Sequence, residues 1–244
     1  MKDSHTDLSI IDGKLLDGLD FCGKVYDIFD RIKRQPDGRR RLGLHEQTVD
    51  KRFVEELLPL ARYIQARYQA GRRIKVRWLS GSQPYDAVLW SSGPLVDCGD
   101  APRKVLVEIT NSVHPNDYLM RERLHKHGGS FGVKGLHREG EEILSEPYVF
   151  CGGENAEDLA QRILRCVGKK SDKPYPPSTV LVVNCVPNSV MFEDEWTDVV
   201  EQVRKAGPIA FREVFLLDLR GSHTATLCGD RQRSPRPKNQ KASL

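Results

Sequence analysis

Two acidic residues occupy sequence contexts in which an acid is costly. Asp86 follows the turn in GSQPYDAVLW, and Glu108 lies in the middle of KVLVEIT, a run of β-branched and aliphatic residues. A carboxylate in an apolar strand costs free energy unless it is paired, hydrogen-bonded or bound to a metal. If the two segments are neighbouring strands, both carboxylates could hold one divalent ion, and their hard oxygens suit Mg²⁺ or Mn²⁺. Such an ion polarises a phosphodiester and lowers the pKa of an attacking water.

The segments around these acids have the periodicity of regular elements. Apolar residues at helical spacing predict a helical segment from about His45 to Gly71, with a kink or two abutting helices at Pro59. Alternating residues on either side of a Gly-Ser-Gln-Pro turn predict a β-hairpin over 74–90, and 104–110 reads as a central strand. On that strand Leu106, Glu108 and Thr110 share one face.

The second half of the chain alternates between strand-like and helix-like segments. It contains a predicted helix over 117–127, a glycine-rich stretch over 128–140, a short strand over 147–150, a helix from Asn155 through Val167, a loop over 169–178, a buried strand over 178–186, a helix over 195–205 and a last strand over 212–219. This alternation favours parallel pairing, whereas the hairpin adds antiparallel strands. The sequence therefore predicts an α/β fold with a mixed β-sheet flanked by helices on both faces. We expect a single domain over 1–228, made of an N-terminal extension at 1–44 and a core at 45–228.

The order of these elements resembles a known nuclease superfamily. A helix, a hairpin with an aspartate on its second strand, E-x-K on the next strand and a further helix characterise the PD-(D/E)xK, or restriction-endonuclease-like, superfamily. Here Pro84-Tyr85-Asp86 stands at the P-D position with one residue inserted, and Glu108-Ile109-Thr110 stands at E-x-K. The resemblance covers roughly 46–126. It implies a restriction-endonuclease-like fold, metal-dependent phosphodiester hydrolysis, a nucleic-acid partner, and metal ligation by Asp86 and Glu108.

The chain departs from this pattern at Thr110, which replaces the lysine that positions and activates the water. A threonine hydroxyl can orient a water but supplies no positive charge. Arg123 and Lys126 lie near the Leu119 side of the predicted helix over 117–127, so we expect one of them to supply that charge to the phosphorane. The hairpin residues Lys75 and Arg77 are further candidates.

An acid from the preceding helix often completes such a metal site. Extending the apolar stripe of that helix backward places Glu46 on its inner side, which is better placed than Glu55 or Glu56. The sequence thus predicts Asp86, Glu108 and Glu46 as metal ligands.

Two alternatives remain open at this level. In the first, the fold binds nucleic acid or protein without catalysis, which the missing lysine favours. In the second, the protein is structural or binds a partner, Glu108 satisfies a buried arginine or backbone amides, and Asp86 closes its turn. No glycine-rich dinucleotide motif, Walker motif or G-x-S-x-G motif supports another enzyme class.

Composition indicates the cellular compartment and shows which segment carries the positive charge. The six cysteines form no C-x-x-C pair, which is typical of reduced thiols, and no apolar run approaches the roughly 18–20 residues of a membrane span. We therefore expect a cytoplasmic protein without a membrane partner. Residues 230–244 carry five cations and one acid, a net +4 that equals the charge of the whole chain. The body of the protein is therefore formally neutral, and 229–244 reads as a disordered basic tail.

Deleting residues 230–244 is expected to leave the melting temperature unchanged, because a segment of Arg, Lys, Pro, Ser and Asn has little to pack against the body. If the tail contacts nucleic acid, the truncation also weakens binding and flattens its salt dependence, since fewer counterions are released. Thermal melting and salt titrations of binding measure the two effects. A clear fall in melting temperature would contradict the prediction.

Overall fold

The protein is described here from a computed structural model, which covers residues 7–149, 151–187, 191–207, 209–219 and 223–229. Its elements in chain order are β1 (Leu16–Asp17), α1 (Gly18–Lys33), α2 (Gly38–Leu44), α3 (Thr48–Arg52), a π-helical turn (Phe53–Leu57), α4 (Leu58–Arg67), β2 (Arg73–Trp78), β3 (Ala87–Ser92), α5 (Pro94–Asp97), β4 (Lys104–Ser112), α6 (Asp117–His127), β5 (Leu136–Glu139), β6 (Glu142–Ser145), α7 (Glu154–Ser171), β7 (Thr179–Cys185), α8 (Glu193–Lys205), β8 (Glu213–Asp218) and β9 (Thr224–Cys228).

Seven of the described strands form one mixed sheet in the order β1-β2-β3-β4-β7-β8-β9. The pairs from β1 to β4 are antiparallel, β4-β7-β8 are parallel, and β9 is antiparallel to β8. Every residue of β7 is buried, as its continuous apolar sequence predicts for a central parallel strand. The predicted α/β class with a mixed sheet is confirmed.

Helices cover both faces of this sheet. On one face α1, the π turn and α4 pack against alternate residues of the strands from β2 to β8. On the other face α7 and α8 pack against the opposite side chains of β7 and β8. Helix α6 and the separate β5-β6 hairpin enclose a small third cluster of Leu119, Leu136 and Ile143.

The N-terminal segment belongs to the main core. Asp17 caps α1 by accepting a hydrogen bond from the Leu19 amide at 2.9 Å, and β1 pairs with β2. Phe21, Val25 and Ile28 of α1 are fully or almost fully buried in the cluster against α4 and the sheet. The predicted boundary between an extension at 1–44 and a core at 45–228 therefore does not separate two packing units.

Some elements differ from those predicted by the sequence. Residues 147–149 are not a strand, and Phe150 lies outside the described residues; the nearby strands are β5 and β6, whose charged residues hide the alternation. Strand β9 was not predicted, because its TATLC sequence buries only Leu227. Helix α7 runs on to Ser171, into the segment predicted as a loop. The predicted tail at 230–244 lies outside the described residues.

The predicted helix over 45–71 is present as α3, the π turn and α4. Pro59 stands at the start of α4 and has no N–H, so the Glu55 carbonyl receives no helical bond from it. The Leu58 amide instead donates to the Phe53 carbonyl five residues back, which defines the π turn. The sequence predicts a kink or two abutting helices at Pro59, and the structure has a widened turn between α3 and α4.

No helix among the described residues has the combination of length and apolar character that crossing a lipid bilayer requires.

Truncating Phe21 tests whether α1 belongs to the core. Phe21 is 1% exposed, so Phe21→Ala is expected to lower the free energy of unfolding by about 3–5 kcal/mol. Leu19, on the same helix and 52% exposed, is the matched control, and Leu19→Ala is expected to change it by less than about 0.5 kcal/mol. Urea denaturation followed by circular dichroism measures both. Similar values for the two variants would show that α1 is not part of the core.

Candidate functional site

The site lies where β3 is shorter than its neighbour β4. Strand β4 pairs with β3 only as far as the Ala87–Val107 pair, so from Glu108 onward that edge of β4 has no strand beside it. Asp86 directly precedes β3 and stands opposite Glu108 when the register is continued by one residue. Directly opposed residues of an antiparallel pair have Cβ atoms about 4.5–5.5 Å apart. The two strands therefore place the two acids opposite each other.

Asp86 also completes the hydrogen bonding of this edge. Its Oδ2 accepts the Ile109 backbone N–H at 2.7 Å, and its own amide donates to the Val107 carbonyl at 2.8 Å. One oxygen of Asp86 thus has the structural role that the sequence left open for it, closing the end of the strand pair.

A cavity of about 440 Å³ opens over this edge of β4. Its walls contain Asp86, Glu108 and Thr110 of the predicted site. Thr110 shares the face of Glu108, as the alternation along the strand predicts. Three of the predicted residues therefore line one cavity.

Lys170 supplies a cation that the sequence interpretation missed. Its Nζ donates to Glu108 Oε1, and both side chains are largely buried. The signal was present, because Leu159, Ile163 and Val167 mark the inner face of α7 and Lys170 follows at the same helical spacing. The Lys-Lys-Ser-Asp sequence at the end of α7 was interpreted as a loop, and that hid the residue.

Glu55 and Glu56, from the π turn, add two further acids to the cavity wall. Burial raises the pKa of Glu56, and the negative charges of Glu55 and Glu108 act in the same direction, while Arg52 opposes them. The sequence argument favoured Glu46 instead, because it extended one helical repeat of 3.6 residues through the whole segment. A turn with i→i+5 hydrogen bonds shifts that repeat.

The negative charge of the cavity helps to raise the pKa of Asp86. Burial raises the pKa of Asp86 to about 7, and the negative charge of Glu108 adds to the shift, whereas the Ile109 amide and Lys170 oppose it. A buried acid beside a second acid is stabilised by a positive charge placed between them.

Three predicted site residues lie outside this cavity, and their expected positions are corrected. Glu46 forms an exposed ion pair with Arg40 at 2.8 Å. Lys126 pairs with Glu122 at 2.7 Å on the surface of α6, and the guanidinium of Arg123 donates to the Ile143 carbonyl of β6. Helix α6 packs against the β5-β6 hairpin instead of the main sheet, which places Arg123 and Lys126 away from this cavity.

The rim of the cavity carries further cations. Lys51 and Arg52 of α3 line it together with the hydroxyl-bearing Thr48. These side chains are donors of the kind that contact phosphate oxygens.

The donor set fits a hydrated hard cation. Within the described ranges, no group of three or more His, Cys, Asp or Glu side chains is arranged to hold a metal ion. Mg²⁺ needs fewer protein ligands, since it usually keeps several waters and binds one or two carboxylates plus substrate phosphate. Asp86 and Glu108 would provide those two carboxylates, and the lining contains no thiol or imidazole that would favour a softer metal.

Comparison of the chain with known protein families, with curated proteins and with solved structures gave no match.

The raised pKa of Asp86 predicts a pH-dependent stability in the metal-free protein. Between the ordinary value of 3.8 and about 7, the folded chain holds a proton at Asp86 that the unfolded chain has lost. Stability contributed by this site therefore falls as pH rises through that window and stays low above it. Asp86→Asn removes the titration, so we expect the variant to exceed the wild type by on the order of 1–3 kcal/mol at about pH 8 and to lose that advantage at about pH 4.

Urea denaturation in EDTA at the two pH values measures the difference. Asp198→Asn, at an exposed position of α8, is the control for replacing a carboxylate by an amide. A variant that is less stable than the wild type at both pH values would show that the closing hydrogen bond to Ile109 outweighs the charge repulsion.

Proposed function

We propose that the protein is a Mg²⁺- or Mn²⁺-dependent nuclease with a restriction-endonuclease-like core. The observation that carries the proposal is the convergence of Asp86, Glu108 and Lys170 in one cavity at the open edge of β4. The order of helix, antiparallel hairpin, strand and helix over 46–126 agrees with the element order on which the resemblance rests.

Each side chain has a distinct part in this proposal. Asp86 and Glu108 hold the ion. Glu56 does not bind the ion directly but accepts hydrogen bonds from the water molecules bound to it. When bound, the ion polarises the phosphodiester and lowers the pKa of the attacking water. Thr110 orients that water through its hydroxyl.

Lys170 replaces the lysine that the sequence lacks at Thr110. A lysine that reaches the reaction centre from another element supplies the same charge, because only the position of Nζ matters for stabilising a developing phosphorane. Without an ion, Lys170 neutralises Glu108. With an ion held by Glu108, the flexible stem of Lys170 would let its Nζ reach a phosphate oxygen.

The rim explains how a polyanion approaches a cavity that contains four acids. Lys51 and Arg52, which line the cavity together with the acids, would contact phosphates on either side of the scissile bond. The ion supplies the remaining positive charge.

The ion pair between Lys170 and Glu108 also favours a second candidate, a nuclease-fold module without catalysis. In that case Lys170 is the buried cation that satisfies Glu108 permanently. The two proposals differ in what happens when divalent ions are added.

Cleavage assays on single- and double-stranded DNA and RNA with Mg²⁺ or Mn²⁺ test the nuclease. We expect metal-dependent cleavage that falls by about 100-fold or more in Asp86→Asn, in Glu108→Gln and in Lys170→Met. Lys169→Met is the matched control, because Lys169 is the exposed neighbour of Lys170 on α7. This control is expected to keep cleavage within about twofold of the wild type.

A thermal-shift titration with Mg²⁺ gives a readout that does not depend on the substrate. The nuclease proposal expects an upshift that is lost in both carboxylate variants. No shift in the wild type, no cleavage and a loss of about 3–5 kcal/mol in Lys170→Met would establish the structural ion pair instead.

A further inference from the structure

A second cavity of about 380 Å³ adjoins the first at the carboxyl ends of the parallel strands. It is lined by the ends of β4, β7 and β8 and by residues of α2, the π turn and α6. Glu55, Asn111 and Val113 belong to the walls of both cavities. Glu108 and Asn111 are three residues apart on β4, so about 10 Å of strand separates the two sites.

Hydrogen bonds between two side-chain amides in the lining of this second cavity form a short chain, which determines how each amide is oriented. Asn111 Nδ2 donates to the Glu55 carbonyl at 3.1 Å, so Asn111 Oδ1 faces its parallel neighbour Asn184. Asn184 Nδ2 donates to that oxygen at 2.8 Å. Because a carbonyl can only accept, the orientation of both amides follows from the Glu55 end of the chain.

The remaining oxygen of this chain has no partner within the described part of the molecule. Asn184 is 4% exposed, and its Oδ1 is buried without a hydrogen bond. An unsatisfied buried acceptor costs about 1–3 kcal/mol, which a ligand with an N–H group would recover. Asn184 is also one of the residues that line the cavity, so an occupant there would lie beside an amide that lacks one hydrogen bond.

The rest of the lining argues against an anionic ligand. The lining contains three acids, Glu55, Asp117 and Asp218, but one guanidinium, that of Arg121. Arg121 already pairs with Asp117 at 2.6 Å, and the imidazole of His45, also in the lining, lies 3.4 Å from Glu55. The other walls include apolar side chains, among them Val54 and Pro187. A neutral, flat ring with an N–H donor fits such a site, whereas a phosphate does not.

We propose that this cavity binds an unpaired nucleobase carrying an exocyclic amine, adenine or cytosine, with the amine donating to Asn184 Oδ1. The inference rests on the proposed function, since the phosphate of the same strand would lie in the adjoining cavity. A base inside a duplex cannot enter a pocket of this kind, so the strand is single or the base is extruded. The occupant then selects which phosphodiester reaches Asp86 and Glu108.

Single-stranded oligonucleotides with one changed group test the acceptor. The probes are fluorescein-labelled octamers of deoxyadenosine, of purine deoxyriboside, which lacks the amine, and of abasic residues, with Ca²⁺ replacing Mg²⁺ to suppress turnover. In the wild type we expect deoxyadenosine to bind about fivefold or more tightly than purine deoxyriboside, as one hydrogen bond of about 1 kcal/mol predicts. In Asn184→Leu the two affinities become equal.

A second variant does not disturb the amide chain. Gly43 of α2 lines the cavity, and a Cβ added there meets no atom within 4 Å, so the backbone tolerates a side chain and Gly43→Phe is the substitution chosen to narrow the pocket. We expect it to reduce binding of the base-containing octamers to that of the abasic octamer. Gly23→Phe, at an equally unobstructed exposed glycine of α1, is the matched control and should bind like the wild type.

The outcomes separate this inference from the nuclease proposal. Equal binding of the amine-containing and amine-free octamers to the wild type, or unchanged binding by Gly43→Phe, overturns the base pocket even if cleavage is observed. Discrimination by the wild type that is lost in Asn184→Leu, while the Mg²⁺-induced thermal shift persists, supports it. The same discrimination without any cleavage would retain the base pocket and reject the nuclease.

Discussion

The early end of β3 is the constraint on which the site depends. An antiparallel pair presents its residues directly opposite one another, so the register that joins Ala87 to Val107 also places Asp86 opposite Glu108. Because β3 begins only at Ala87, the next amide of β4 needs a partner, and the Asp86 carboxylate provides it. The same shortness leaves room for a cavity beside the central strand. A longer β3 would satisfy the backbone and remove the site.

Bringing two acids together creates an electrostatic cost that the surrounding elements reduce. The raised pKa of Asp86 reflects burial first and the charge of Glu108 second. Helix α7 extends to the level of Glu108 and places Lys170 against it, while the rim of α3 adds Lys51 and Arg52. A bound metal ion and the ion pair with Lys170 would both reduce the repulsion between the two acids. Adding metal therefore distinguishes the two cases more directly than the positions of the side chains do.

Pro59 links the helical layer to the second cavity. Its missing N–H leaves the Glu55 carbonyl to the Asn111 side chain, and Asn111 in turn orients Asn184. Hydrogen bonds of this kind fix amide groups that would otherwise be free to rotate by half a turn. The widened turn before Pro59 also brings Glu56 to the first cavity. One residue that cannot donate thus shapes the walls of both cavities.

The sequence by itself determined the α/β class, the hairpin, the central strands and the pairing of Asp86 with Glu108, because period-two alternation and a turn specify which residues of neighbouring strands share an edge. It also indicated that Thr110 lacks the charge expected there. Only the tertiary structure decided which cation lies beside Glu108 and which further acids line the same cavity. Lys170 and Glu56 come from a helix end and a π turn, whose positions depend on packing against the sheet, whereas α6 packs on the β5-β6 hairpin and carries Arg123 and Lys126 away. Local periodicity records which face of a helix is buried, but not which part of the sheet that face meets.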